Sequence, residues 1–217
     1  MHVHYISEEN SILNHFLAQI RDVSVQKDSM RFRKNVERIG EIMAYELSKT
    51  LDYEAISVQT PLGTKETTQI SDKIVLCSIL RAGLALHTGF MNIFDAADNG
   101  FVSAYRYHPN NDDTFEIRVE YQAAPNLENK TLILIDPMLA TGQSIVAVLH
   151  KLHLEQKPKE IHIAVAIAAP EGVQYLQENV PENVHLWIAA LDEKLNEKNY
   201  ILPGLGDAGD LAYGIKL

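Results

Sequence analysis

A carboxylate and two hydroxyl groups stand at the end of the most apolar run in this chain. The run Thr131–Ile135 is all β-branched or leucine, which is typical of a strand buried on both faces. Asp136 ends it, a short loop holding Thr141 and Ser144 follows, and SIVAVLHKLHLEQ then has apolar residues at helical spacing. A helix N-terminus surrounded by small residues and hydroxyl donors binds phosphate readily. The pattern therefore predicts either a phosphate site or one of the ordinary turns of α/β proteins.

Two arginines follow other apolar runs in the same way. Arg81 comes after Ile74–Leu80, and Arg106 comes after Phe101–Tyr105. An arginine in this position either caps a surface or binds an anion, and the pattern alone does not decide between them. Because ligands of open α/β sheets bind outside the carboxyl ends of the strands, we expect Arg81, Arg106 and Asp136 to lie at one edge.

The other patterns alternate strands with helices and predict a doubly wound parallel sheet. The strict alternation of Phe115–Tyr121 instead predicts a half-exposed antiparallel arm. The chain from Leu191 onward is expected to be loop-like. The predicted helices are Ser7–Ile20 with Ser7 as its cap, Met30–Lys49, Leu84–Phe94, the segment after Ser144, and Gly172–Asn179; the further strands are Ala55–Gln59, Ile161–Ile167 and Val184–Ala189.

Composition narrows the class of protein. The chain has 217 residues, 46% of them hydrophobic and 22% charged, which suits one globular domain over 1–217. The net charge of -10 argues against nucleic acid as a partner. The single cysteine, Cys77, favours a reduced, cytoplasmic location and a packing role. No apolar run approaches the roughly 18 residues of a membrane span, so no membrane partner is expected.

Three further features do not predict a dinucleotide or metal site. Gly204–Gly209 fits G-x-G-x-x-G, but that dinucleotide fingerprint needs a surrounding βαβ unit, and Pro203 precedes it. His2 and His4 are expected to be mobile near the N-terminal end of the chain. His150 and His153 share a predicted helix face, but surface histidines explain them better than a metal pair does.

Several separated segments resemble the uracil phosphoribosyltransferase family. They are RFRKN near residue 31, ILRAG, YR, DPMLATG, AAPEG at 168–172, and YILPGLGDAGD at 200–210. DPMLATG together with GLGDAGD is highly specific, and the segments span most of the chain. The resemblance implies the type I phosphoribosyltransferase fold: a central parallel sheet flanked by helices, an antiparallel β-arm, and a small C-terminal hood that forms a base pocket.

The same resemblance implies roles for individual residues. Arg81, Arg106, Asp136 and Asp207 are expected to be catalytic and to bind 5-phospho-α-D-ribose 1-diphosphate (PRPP), with the two arginines on its diphosphate. The loop expected to hold the ribose and 5′-phosphate of PRPP continues from Asp136 through Pro137, Met138, Leu139, Ala140, Thr141, Gly142, Gln143 and Ser144. The residues expected to bind uracil are Ile201, Gly206, Asp207 and Ala208.

Some residues depart from the family pattern. Gln143 stands where the family has the second glycine of TGGS. The arm reads FEIRVEYQAAP instead of a proline-rich segment, and Arg118 is expected to replace a lysine there. Leu211 and Tyr213 stand where the family favours a basic residue and phenylalanine.

The resemblance implies pyrimidine salvage, in which uracil and PRPP give UMP and diphosphate. It implies Mg²⁺ held mainly through the diphosphate of PRPP with no all-protein metal site, a homodimer or homotetramer, and GTP as a possible effector. One alternative is a phosphoribosyltransferase for a purine or orotate, against which the tail argues. The other is a non-enzymatic nucleotide sensor or RNA-binding regulator, against which the arginines and the acidic charge argue.

Overall fold

The computed structural model of the protein describes residues 1–107, 116–155 and 157–216. The strands are β1 (His2–Tyr5), β2 (Tyr53–Thr60), β3 (Gly63–Ile70), β4 (Ile74–Leu80), β5 (Asp98–Tyr107), β6 (Glu116–Ala123), β7 (Thr131–Ile135), β8 (Met138–Leu139), β9 (Glu160–Ala168), β10 (Val184–Leu191), β11 (Lys194–Leu195) and β12 (Ile201–Leu202). The helices are α1 (Ile12–Arg21), α2 (Ser29–Ser48), α3 (Gly83–Ile93), α4 (Gln143–Glu155), α5 (Pro170–Asn179) and α6 (Ala208–Tyr213), with a 3-10 turn at Ile6–Glu8.

The main sheet has eight strands, in the order β1-β10-β9-β7-β4-β5-β6, and β8 also pairs with β9. Every neighbouring pair is parallel except β5 with β6, which is antiparallel. The predicted parallel sheet with an antiparallel arm is therefore confirmed. Phe115, predicted to begin the arm, lies outside the described residues.

Helices cover both faces of the sheet, because its central strands are apolar on both sides. In β7, Ile133 and Ile135 pack in the layer formed with α1, α2, α3 and α6. Leu132 and Leu134 pack in the opposite layer, formed with α4 and α5. This arrangement brings the carboxyl ends of β4, β7, β9 and β10 to one edge, as parallel strands require.

The prediction that His2 and His4 are mobile is wrong. They belong to β1, which extends the sheet by pairing with β10, His2 opposite His185. The His4 ring stacks on the Trp187 indole with 3.9 Å between ring centres, and its Nε2 lies 3.0 Å from His185 Nδ1. A stack of aromatic rings fixes this edge of the sheet.

The predicted start of the first helix is also wrong, because a later serine provides the better cap. The side chain of Ser11 accepts a hydrogen bond from Leu13 N at 3.2 Å, and Asn14 Oδ1 accepts one from Ser11 N. This reciprocal capping box starts α1 at Ile12. Ser7 lies instead in the preceding 3-10 turn.

The β2–β3 hairpin contains one strand that the sequence did not predict. β2 was expected, but Gly63–Ile70 is mostly polar and lacks the apolar alternation that marks a half-buried strand. Both strands are exposed along almost their whole length, and Leu62 at the connecting turn is 100% exposed. The hairpin forms a sheet of its own.

The expectation of an irregular chain after Leu191 is wrong in part. β11 and β12 pair antiparallel, and α6 follows them. The Gly204–Gly209 fingerprint follows β12 and ends in the first turn of α6. Since β12 pairs only with β11 in the part described, no βαβ unit surrounds it. No helix in the described ranges is long and apolar enough to cross a membrane.

Candidate active site

The loop after β7 is fixed to the neighbouring strand β9. Asp136 N donates to Ala164 O at 3.1 Å, and Pro137 O accepts a hydrogen bond from Ile167 N at 2.9 Å. The side chain of Asp136 accepts another from Met138 N at 3.2 Å. These bonds hold the carboxylate at the carboxyl end of β7, as the sequence predicts.

Gly142 is the one residue of the loop with a left-handed backbone, at φ +80°. A Cβ there would stand 3.1 Å from the Tyr175 ring and 3.2 Å from Gly172 O. Gln143 begins α4, where the backbone is right-handed and any residue fits. Of the two positions where the family has glycine, only position 142 requires it. Gln143 is therefore compatible with the conformation of the loop.

Donor groups of the loop surround a small cavity. The first helical hydrogen bond of α4 runs from Val146 N to Gly142 O, so the N–H groups just before Val146 have no partner within the helix. Within the described residues, the hydroxyl groups of Thr141 and Ser144 have no protein partner either. A cavity of 130 Å³ lies among them and has the size and donors that a phosphate group needs.

The carboxyl group of Asp136 is partly buried beside this cavity. Burial raises its pKa to about 7, although the hydrogen bond from Met138 N favours the charged form. The group therefore titrates near neutral pH, and donors that a ligand brings would stabilise its carboxylate.

Arg81 joins the loop after β4 to the C-terminal segment. Its Nη2 lies 3.0 Å from Asp210 Oδ1, and its Nη1 donates to Gly214 O at 3.3 Å. The Leu80–Arg81 peptide bond is cis. Because the guanidinium is 42% exposed, it remains accessible to an anion from the cavity.

Asp207 stands at the start of α6 and faces the same cavity. Its Oδ1 accepts a hydrogen bond from Asp210 N at 2.9 Å, and its Oδ2 lies 3.3 Å from Lys216 Nζ. Burial raises the pKa of Asp207, but the Asp210 N–H and the Lys216 ammonium outweigh it and hold the pKa below its usual value. Gly206, at φ +97°, has open space where a Cβ would stand.

One cavity of 570 Å³ brings three separate segments of the chain together. The predicted site residues that line it are Arg81, Asp136, Met138, Ala140, Ser144, Ile201, Gly206, Asp207 and Ala208. The adjoining 130 Å³ cavity adds Leu139, Thr141 and Gly142. Pro137 and Gln143 line neither of the two, and the side chain of Arg106, on β5, lies outside the described part of the structure.

Several residues that line the cavity were not among the site residues predicted from the sequence. They include the polar residues Asn199, Tyr200 and Lys216. Asn199 has a left-handed backbone at φ +60° and leads into β12, where no motif marked it. Lys216 could have been found only from its position shortly after GLGDAGD, a segment that contains two aspartates.

Comparison with known proteins decides the family. The family model for uracil phosphoribosyltransferase matches residues 7–215. The chain belongs to the uracil phosphoribosyltransferase family. The family and the fold class predicted from the sequence are both confirmed.

Relatives of this uracil phosphoribosyltransferase chain span its whole length. The uracil phosphoribosyltransferase of Porphyromonas gingivalis is 49% identical over 217 residues and covers 100% of both chains. That of Thermococcus gammatolerans is 39% identical, covering 98% of this chain and 94% of its own. Among solved structures, the AQ2163 protein from Aquifex aeolicus is 31% identical, with a TM-score of 0.87 over 99% of each chain.

Proposed function

We propose that this protein transfers the phosphoribosyl group of PRPP to uracil and forms UMP and diphosphate, a reaction of pyrimidine salvage. The observation that carries the proposal is the shared cavity. The cavity is lined by Arg81 and by the glycine-rich tail, and the smaller, phosphate-sized cavity of the loop after β7 adjoins it. These are the three parts that a phosphoribosyl donor and a base need.

The loop after β7 is proposed to hold the ribose 5-phosphate part of PRPP. The N–H groups at the start of α4 and the hydroxyls of Thr141 and Ser144 would donate to the 5′-phosphate. The Asp136 carboxylate would accept hydrogen bonds from the ribose hydroxyls. Such bonds favour the charged form of the Asp136 carboxyl group, whose pKa burial raises to about 7.

Arg81 is proposed to bind the diphosphate of PRPP, and Arg106 is proposed to join it. A guanidinium forms bidentate hydrogen bonds with phosphate oxygens. Charge grows on the diphosphate as it leaves, and fixed donors that meet this charge lower the barrier. Asp210 pairs with Arg81, so the diphosphate would either displace that carboxylate or share the guanidinium with it.

The tail is proposed to bind uracil through its backbone. Uracil presents a carbonyl, an N–H and a second carbonyl along one edge. Backbone N–H and C=O groups of Ile201 and of Gly206, Asp207 and Ala208 can pair with that edge. A base with a different pattern of donors would leave some of these groups unpaired, which makes the pocket selective.

The reaction breaks the bond between ribose C1 and the diphosphate oxygen and forms a bond between C1 and uracil N1. The ribose develops oxocarbenium character as diphosphate leaves with the bonding electron pair, and uracil attacks from the opposite face. The N1 proton of uracil would pass to solvent, because the described part of the tail offers no strong base to take it. Catalysis would therefore depend on positioning and on electrostatic stabilisation of the leaving group.

Mg²⁺ fits this site as an ion held mainly by the diphosphate. Among the described residues, no group of three or more histidine, cysteine or acidic side chains is arranged to hold a metal ion. Asp136 and Asp207 nevertheless supply carboxylates to the cavity wall, and oxygen ligands suit Mg²⁺. When bound, Mg²⁺ would neutralise the charge that develops on the diphosphate.

A homo-oligomer is proposed on the strength of the β2–β3 hairpin. An isolated two-stranded hairpin is marginally stable in water, and this one has both faces exposed. Its exposed side chains include Tyr53, Val58 and Leu62. Packing against a second copy of the chain would cover them. Light scattering on the purified protein and on Val58→Asp tests this, and a parent that stays monomeric at every concentration would contradict it.

The activity is tested by a spectrophotometric assay of UMP formation with uracil, PRPP and Mg²⁺. Orotate, cytosine, hypoxanthine and adenine are assayed in parallel, and one series contains GTP. We expect uracil to be the only one of these bases that is converted, and we expect a chelator to abolish its conversion. Turnover only with another base would contradict the role of the tail. Binding of PRPP without turnover on any base, with or without GTP, would instead favour a nucleotide sensor.

A further inference from the structure

A half-buried ion pair lies behind the glycine-rich tail. Asp192 directly follows β10, and its N–H donates to Ala168 O at 2.8 Å. Arg21, the last residue of α1, donates to the Asp192 carboxylate from both terminal guanidinium nitrogens, Nη2 at 2.6 Å and Nη1 at 2.8 Å. The Asp192 side chain is only 5% exposed and that of Arg21 is 24% exposed. This bidentate geometry is far more specific than that of a surface salt bridge.

Both members of the pair also hold the backbone of one tail residue. Gly204 N donates to Asp192 Oδ2 at 2.9 Å. Arg21 Nη1 donates to Gly204 O at 3.0 Å. The carboxylate of Asp192 therefore fixes the N–H of Gly204, and the guanidinium of Arg21 fixes its C=O. Since Arg21 ends α1 and Asp192 follows β10, the ends of these two elements set the position of the tail.

Gln26 fixes the next residue in the same way. Its Nε2 donates to Leu205 O at 3.2 Å and also to Ile20 O and Arg21 O, at 3.0 Å and 3.2 Å. One amide thus joins the end of α1 to the tail. The contact extends the fixed segment to the residue just before Gly206.

The fixed segment has little freedom to adopt another path. Gly204 is left-handed at φ +61°, and a Cβ there would overlap Ile201 O. Ile201 on one side of the segment and Gly206 on the other both line the 570 Å³ cavity. A shift of the Gly204 peptide would therefore move both walls of the proposed base pocket.

We infer that Arg21, Asp192 and Gln26 are positioning residues that set the affinity of the base pocket. None of the three lines the cavity, so they act through the backbone of Gly204 and Leu205. The inference rests on the proposed function, since it assumes that the tail binds uracil. It predicts that loss of these contacts weakens binding of the base and leaves the PRPP loop, on β7 and α4, unchanged.

The test compares the variants Asp192→Asn, Arg21→Met and Gln26→Leu with the parent in the UMP assay. We expect the KM for uracil to rise on the order of tenfold to a hundredfold in Asp192→Asn and Arg21→Met, as loss of hydrogen bonds to charged groups implies. In Gln26→Leu, which loses neutral hydrogen bonds, the rise should be on the order of threefold to tenfold. The KM for PRPP should stay within about twofold, since no contact to the phosphate loop is lost. A purely structural role would instead lower the thermal midpoint without separating the two KM values.

Arg38→Met is the matched control. Arg38 packs over Phe16 of α1, 5.2 Å from the ring centre, and donates to Asn35. In the described part of the chain it forms no hydrogen bond or ion pair with the tail. This variant loosens α1 as Arg21→Met does and leaves Gly204 fixed. Its KM for uracil should equal that of the parent.

Three results would overturn the inference: an unchanged KM for uracil in the variants, equal increases for uracil and PRPP, or an increase in Arg38→Met as large as in Arg21→Met. If Asp192→Asn fails to fold, Gln26→Leu carries the test, because it removes no charge. Variants too slow to assay are titrated with UMP and with ribose 5-phosphate, and only the UMP affinity should fall. A parent that forms no UMP would refute the proposed function itself.

Discussion

The Arg81 guanidinium lies 3.0 Å from the Asp210 carboxylate and so links the loop after β4 to the last helix of the chain. The two residues are far apart in sequence and meet at the mouth of one cavity. The Asp210 carboxylate occupies a position on the Arg81 guanidinium that an anionic ligand could take. A diphosphate would meet a guanidinium that is already oriented.

Replacement of Arg81 by methionine should reduce kcat/KM for PRPP on the order of 10²- to 10³-fold, because the growing charge of the leaving group loses a fixed donor. Stability should change by about 1 kcal/mol at most, since the pair with Asp210 is partly exposed. Steady-state kinetics at saturating uracil measure the first effect and urea unfolding the second. Lys27→Met, which removes an exposed charge outside the cavity, is the control. An Arg81→Met enzyme as active as this control would contradict the assignment.

Asp136→Asn should stabilise the protein and impair it. The pKa of Asp136 is about 7 in the fold against 3.8 ordinarily, so its ionisation costs stability as the pH rises from 3.8 towards 7 and the full cost persists above 7. Asparagine avoids this cost, and unfolding above about pH 8 should require about 1 to 2 kcal/mol more.

The same variant should lose activity on the order of a hundredfold, because asparagine cannot offer a charged acceptor to the ribose hydroxyls. Denaturant unfolding at several pH values and the UMP assay measure the two effects on one preparation. Near-normal turnover and PRPP binding would show that the loop after β7 has been assigned the wrong role.

Two neighbouring substitutions should separate the roles of Gly142 and Gln143. Gly142→Ala places a Cβ in a left-handed residue and against Tyr175 and Gly172, which should cost about 1 to 2 kcal/mol and weaken PRPP binding. Gln143→Gly restores the usual family residue, and PRPP binding should stay within about twofold because α4 begins there with an ordinary backbone. Calorimetric titration with PRPP measures both. Equal losses in the two variants would contradict this account of the loop.

The histidine stack beside β1 should make the fold sensitive to acid. Burial, followed by the nearby His185 and His4, lowers the pKa of His162 to about 3. His162 is neutral in the fold and gains a proton on unfolding below its ordinary pKa of 6.5, so stability is full above 6.5 and falls as the pH decreases. Glu160, 3.5 Å from His162, is the acidic neighbour, and burial raises its own pKa.

The expected loss from His162 alone is about 1 kcal/mol between about pH 7.5 and about pH 5.5. His162→Gln keeps an acceptor for Trp187 Nε1 but does not titrate, so it should lose correspondingly less. Urea unfolding of both proteins at the two pH values measures the difference. Identical losses in parent and variant would remove His162 from the explanation.

Much of the site could be predicted because local patterns specify it. The local sequence around β7 predicts a buried strand that ends in an aspartate and is followed by a loop of small residues. The parallel sheet then brings the ends of β4 and β7 together. Asp192 also follows an apolar strand, but nothing near it in sequence indicates Arg21. Its role depends on a contact across 171 positions, which periodicity does not reveal.

The errors have a similar cause. β1 is too short to show a pattern, and it is ordered by stacking on Trp187 rather than by its own propensity. β3 is polar because neither of its faces packs in the core of the chain. Ser7 was predicted as the cap of the first helix, but the cap depends on specific side-chain hydrogen bonds. Leu13 N donates to the Ser11 side chain and Ser11 N donates to that of Asn14, so the helix starts later.

The pairing of β1 with β10 also bears on how the chain folds during synthesis. His2 leaves the ribosome long before its partner His185, which lies far later in the chain. The first strand and the contact from Arg21 to Asp192 must therefore wait, while β4, β5 and β7 can already assemble. Long-range pairing of this kind slows folding, and the edge of β10 stays unprotected until the N-terminal segment returns to cover it.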